Sequence, residues 1–191
     1  MSATDIEDEL FDLKFYVQRN IRYHMRRGAF FTRWSRLLSF VGVFFGSAAA
    51  VTFMGELGEK YPLIPAMMAL LVALASAVEL VVGISQRAWL HNDLRRRFLD
   101  IDERMQVSSA VTMKLICELK AAIRRIEADE PPVMEALELM VRNDVIVSLF
   151  SYEERSEHYI PLPWYIRLTA HWVHWDVSQA EPKPTPKAQC A

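Results

Sequence analysis

Two apolar runs dominate the pattern of this chain: no charged side chain lies between Arg36 and Glu56, and none lies between Lys60 and Glu79. Each run approaches the roughly 20 helical residues that cross a hydrocarbon core about 30 Å thick. The pattern predicts two transmembrane helices, residues 37–54 and 61–86, joined by the short polar segment Gly55-Glu56-Leu57-Gly58-Glu59-Lys60. A connection that short makes the helices antiparallel neighbours.

Outside the runs, apolar positions recur at spacings of three and four, the period of an amphipathic helix. Ile6, Leu10, Leu13, Val17 and Ile21 mark one in residues 1–36, with Asp5, Glu7, Asp8, Glu9 and Asp12 gathered at its N-terminal end, where the helix dipole favours acids. Thr4 is placed to cap it, with Glu7 three residues on. Beyond the second run, Leu90, Leu94, Phe98, Ile101, Met105, Leu115, Leu119 and Ile126 predict one long helix over about 88–128, the stalk of segment 87–130. Its stripe weakens where Ser108, Ser109 and Thr112 enter, and the N-terminal helix is its natural partner. Glu127-Ala-Asp-Glu-Pro-Pro ends it, since a residue before proline avoids helical geometry. Met134, Leu137, Val141, Val145 and Leu149 predict a further helix over about 132–152, although Val145 to Tyr152 also reads as a strand. Segment 131–177 closes with Trp164, Leu168, Trp172 and Trp175 on one predicted helical face, and 178–191, with Pro182, Pro184 and Pro186, reads as a disordered tail.

The fold class predicted is thus an all-α membrane protein, a two-helix antiparallel transmembrane hairpin extended by a cytoplasmic helical bundle. Charge orients it. Arg19, Arg22, Arg26, Arg27, Arg33 and Arg36 precede the first span and Arg87, Arg95, Arg96 and Arg97 follow the second, whereas the turn carries Lys60 against Glu56 and Glu59. The positive-inside rule places both termini in the cytoplasm of an inner membrane. The acidic start, Met-Ser-Ala-Thr-Asp-Ile-Glu-Asp-Glu, predicts no cleaved signal peptide.

Composition narrows the chemistry. A net charge of -2 argues against a nucleic-acid partner, and the basic and aromatic residues before the first span fit a headgroup region instead. Interfacial aromatics are Trp34, Trp89, Trp164, Trp172 and Trp175. The two cysteines, Cys117 and Cys190, make no disulfide framework. His171 and His174 stand three apart without a further ligand, so no metal site is read, and no phosphate loop, nucleophile elbow or other catalytic motif occurs. No cofactor and no enzymatic activity are expected. Asp100, Asp102 and Glu103 occupy positions expected to be solvated.

Two features inside the spans carry functional weight. Ser39, Gly42, Gly46 and Ala50 form a small-residue face containing a GxxxG pair, matched in the second span by Ala66, Ala69, Ala73 and Ala77. Such faces let helices approach closely, either within the hairpin, the reading favoured by the matching ladders, or between copies of the chain. Glu79 is the single acidic side chain inside a span, and a hairpin folded near residue 58 places it within reach of Arg36. An anchoring ion pair or a carboxylate snorkelling to the interface is favoured over a pore-lining or proton-handling role.

The basic-aromatic helix (Tyr23-His-Met-Arg-Arg, Trp34-Ser-Arg), the hairpin with its very short turn, and the charged helix Trp89 to Arg104 together resemble the SLATT two-transmembrane effectors of prokaryotic conflict systems. The resemblance spans about residues 10–125 and implies a module that oligomerises and perforates the inner membrane when a partner sensor signals infection, as in antiphage defence. It carries over no catalytic or ligand-binding residue and does not account for the tryptophan-rich C-terminus. The expected function is a membrane-permeabilising effector acting with the lipid bilayer, further copies of itself and a sensor. The alternative is a non-enzymatic scaffold or accessory subunit that docks a larger complex.

Overall fold

A computed structural model of the chain describes residues 3–47, 50, 55, 61, 63–108, 112–177 and 180. Among these residues there is no strand. The helices are α1 (Ala3–Gly46), α2 (Leu63–Val82), α3 (Ile84–Val107), α4 (Met113–Glu127), α5 (Glu135–Leu149), α6 (Tyr152–His158) and α7 (Trp164–Thr169). The chain divides into two compact units, one of Met1–Met25 with Asp93–Ala191 and one of Arg26–Asn92.

The first unit is a helical bundle built on the N-terminal part of α1. Leu13, Val17 and Ile21 are buried, as are Leu94, Phe98, Ile101 and Met105 of α3 and Ile116, Leu119, Ile123 and Ile126 of α4. The stripes expected to meet therefore do. Polar contacts fix their direction: Gln18 Nε2 donates to Asp102 at 3.0 Å and the His24 ring stacks on Phe98 at 5.6 Å, so α1 and α3 run antiparallel. Lys120 pairs with Glu9, and the Tyr16 hydroxyl donates to Glu127, so α4 runs parallel to α1. Helix α5 closes the bundle with Leu137, Val141, Val145 and Ile146 buried, and Arg19 pairs with Glu138 at 3.1 Å. The segment that also read as a strand is helical to Leu149.

Three expectations change here. The single helix over 88–128 is two helices, because Ser108 Oγ donates to the Arg104 carbonyl at the end of α3 and Thr112 Oγ1 caps the Leu115 N–H at the start of α4. Hydroxyl side chains that bond nearby backbone groups compete with the continuing helix. Asp102 is buried rather than solvated, its carboxylate taken up by the Gln18 amide and by Gln106 Nε2 at 2.7 Å. Helix α1 begins at Ala3, before the expected cap Thr4, whose side chain lies outside the described residues.

The second unit holds the later part of α1, all of α2 and the start of α3. Phe31, Ile84 and Ala88 form its buried cluster, with Phe30, Trp34 and Leu38 packed on it. The Phe31 ring stacks on His91 at 5.6 Å and lies 4.6 Å from the Arg27 guanidinium. A Cβ at Gly28 would meet Asn92 Oδ1 at 2.8 Å, so a larger residue there would displace the Asn92 side chain. Ser35 and Ser85 share a hydrogen bond at 2.8 Å, which fixes the antiparallel register of these two segments.

Candidate functional site

Helix α2 is 20 residues long with Glu79 as its one charged residue, and is long and apolar enough to cross a membrane. Of its residues only Ala75 is buried. Ile64, Met68, Val72 and Glu79 are half-buried and line up with Ala75 at helical spacing, which makes that side the inward one. Ala66, Ala69, Ala73 and Ala77 are all exposed and make up a different face.

In α1, Ser39 and Gly46 are exposed and Gly42 is half-buried, as is Ala50 beyond its end. A Cβ added at Gly42 or Gly46 would meet no atom within 4 Å. Packing of the two small-residue ladders against each other inside the hairpin, the favoured expectation, is thus not what the described residues show. Helix α2 turns Ala75 inward, with Ile64, Met68, Val72 and Glu79 half-buried beside it, and leaves Ala66, Ala69, Ala73 and Ala77 exposed. The polar connection expected at 55–60 lies outside the described residues apart from Gly55, as do residues 48, 49 and 51–54 of the first run and, apart from Ala180, the expected tail.

Glu79 forms no ion pair with Arg36, which is exposed. Its Oε1 instead accepts the Ser85 N–H at 3.0 Å, and its Oε2 is buried without a hydrogen-bond partner. The cause is a break that the sequence reading did not place. Gly83 takes a φ of 64°, the left-handed region open to glycine at little cost, and so ends α2 before α3 starts. Its N–H still donates to the Glu79 carbonyl at 2.9 Å, while the first N–H groups of α3 have no preceding turn to satisfy them. The Glu79 carboxylate reaches forward over the break and caps one of them. On the other side, Arg87 Nε donates to the Val82 carbonyl at 3.0 Å, so an acid serves the start of α3 and a base the end of α2.

The aromatic residues separate into two groups. Trp34 is half-buried on the Phe31 cluster, and Trp89 is exposed. Trp164 and Trp172 are exposed at 76% and 58%, with Leu168 at 71%. Trp175 does not share their face. Helix α7 ends at Thr169, and the chain folds back so that Trp175 Nε1 donates to Thr169 Oγ1 at 2.9 Å, with its ring edge-on to Tyr165 and packed against the cluster of Tyr23, Leu137 and Val141. His174 approaches Glu135 at 3.7 Å, and among the described residues no three His, Cys, Asp or Glu side chains group to hold a metal ion. Cys117 is a free, exposed thiol on α4.

Sequence reasoning missed the buried pair His24 and Glu130, 3.0 Å apart, with the histidine 1% exposed. Its position three residues after Ile21 on the buried stripe was the available signal. Comparison with protein-family models, with curated proteins and with solved structures finds no match to this chain.

Proposed function

We propose that the chain is a non-enzymatic membrane effector: a two-span antiparallel hairpin of the inner membrane that oligomerises and permeabilises that membrane on a signal from a partner protein, as its resemblance to the SLATT effectors implies. The first span is α1 beyond Leu37 with the residues that follow it, and the second is α2. Both termini and the bundle lie in the cytoplasm, where the bundle receives the signal.

The observation that carries this reading is the outward alanine face of α2, Ala66, Ala69, Ala73 and Ala77, accompanied by unfilled space at Gly42 and Gly46. Between helices in lipid the hydrophobic effect supplies no attraction, and close backbone approach at small residues takes its place. An exposed face of small residues on an apolar helix, here beside the exposed leucines Leu70 and Leu74, is suited to receive a second copy. The test is expression in bacterial cells with a voltage-sensitive dye. Wild type is expected to depolarise the inner membrane, and Gly42→Leu and Ala73→Leu to reduce the response several-fold while remaining in the membrane fraction. Full depolarisation by both variants rejects the small-residue faces as the contact.

A scaffold remains the second reading, favoured by the exposed Trp164, Leu168 and Trp172. It predicts no depolarisation at any expression level and co-purification of a partner in fixed ratio.

A further inference from the structure

We propose that a groove in the first unit, between α1 and α5, binds a small molecule that carries one phosphate or carboxylate group on an apolar body, with Arg19 and Arg142 holding the oxyanion. The groove has a volume of about 350 Å³, at the lower end of the range for small-molecule sites. Two guanidinium groups line it, and their charges are not equally answered. Arg19 pairs with Glu138 at 3.1 Å, although its Nε is buried without a partner. Arg142 has no carboxylate partner among the described residues, and its one hydrogen bond runs from Nη1 to the His158 carbonyl at 3.0 Å. Glu135 and Glu138 also line the groove, Glu135 accepting the Val177 N–H at 3.4 Å and lying 3.7 Å from His174.

Arg142 is therefore a cation with no carboxylate in ion-pair distance among the described residues, set beside the Arg19–Glu138 pair. Burial, and after it the Arg19 charge, depress the pKa of Arg142, yet a guanidinium stays protonated at neutral pH. Holding like charges together at a partly buried site is costly, and an anion placed between them removes that cost. Phosphate and carboxylate match the planar fork of N–H donors that the guanidinium offers. The remaining lining, Leu139, Ile160, Val177 and Ala180, is apolar and suits the body of the ligand rather than its head. The inference concerns the first unit alone and stands whether or not the chain permeabilises a membrane.

Isothermal titration calorimetry on the purified full chain in detergent tests it, with phenyl phosphate and phenylacetate as probes and benzyl alcohol as the neutral control. At least one anionic probe is expected to bind saturably at one site with a Kd below about 1 mM, and benzyl alcohol not to bind. Which anion binds identifies the oxyanion. Arg142→Gln should weaken binding about tenfold or more, while Arg167→Gln, at an exposed position on α7, should leave it unchanged. Circular dichroism checks the fold of each variant, and should Arg142→Gln lose helix content, Arg142→Lys keeps the charge, removes the fork and is expected to weaken binding in the same direction. Absence of saturable binding by both anions, equal binding of benzyl alcohol, or wild-type affinity in the folded Arg142 variant overturns the proposal.

Discussion

A single side chain, Glu79, shows how a charge near an apolar helix is used when its expected partner is out of reach. Its carboxylate bonds the Ser85 N–H across the Gly83 break, a contact that depends on acceptor oxygen rather than on charge. Glu79→Gln keeps an acceptor and is expected to insert and melt like wild type, whereas Glu79→Leu leaves the start of α3 uncapped and should cost about 1 kcal/mol, read from helicity loss in denaturing detergent. Tyr16 offers a titratable counterpart in the bundle. Burial, then its hydrogen bond to Glu127, raises the phenol's pKa well above its ordinary value. A raised folded-state pKa means that Tyr16 contributes fully below the unfolded value of about 10 and that the contribution is lost as pH rises beyond it. Stability should thus fall more steeply above pH 10 in wild type than in Tyr16→Phe, as measured by chemical denaturation across alkaline pH.

Helix ends and caps govern the behaviour of the elements. Thr112→Ala removes the hydroxyl that accepts the Leu115 N–H and should destabilise the bundle by about 1 kcal/mol in a denaturant titration. Helix α6 opens with a capping box of Ser151 and Glu154. The Ser151 hydroxyl, and after it the Ser151 backbone N–H, hold the Glu154 carboxyl below its ordinary pKa. A depressed folded-state value means that this support is present above the ordinary glutamate range and lost as pH falls through the depressed one. Protection of the α6 amides, taken as the intrinsic exchange rate at each pH divided by the observed rate, should therefore fall on acidification, and Ser151→Ala, which keeps only the backbone N–H contact, should weaken that dependence. These elements also show what periodicity reveals. Leu13, Val17, Leu94, Phe98, Leu119 and Val141 were legible as core because burial follows helical spacing directly. The break at Gly83, the reach of Glu79 and the return of Trp175 to Thr169 were not, since the first two depend on a local backbone turn and the third on a side-chain hydrogen bond formed where the chain folds back after α7. Asp102 escaped for a related reason: its donor Gln18 lies 84 residues away on another helix.

At the scale of the whole molecule, both the effector and the scaffold readings rest on a hairpin that crosses the membrane twice and returns to the same side. Helix α2 meets the length and apolarity that crossing needs, and the proposed orientation follows from the arginines before and after the apolar runs by the positive-inside rule. Cys117, free and exposed on α4, supplies a native reporter for that side. The most direct measurement is labelling of intact cells with a membrane-impermeant maleimide, at low expression, in two Cys190→Ser proteins: one with Cys117 as its only thiol, and one with Cys117→Ser and Glu59→Cys. The account predicts that the turn cysteine reacts in intact cells and that Cys117 reacts only after permeabilisation. Equal labelling of both positions in intact cells, or protection of both until permeabilisation, would contradict it.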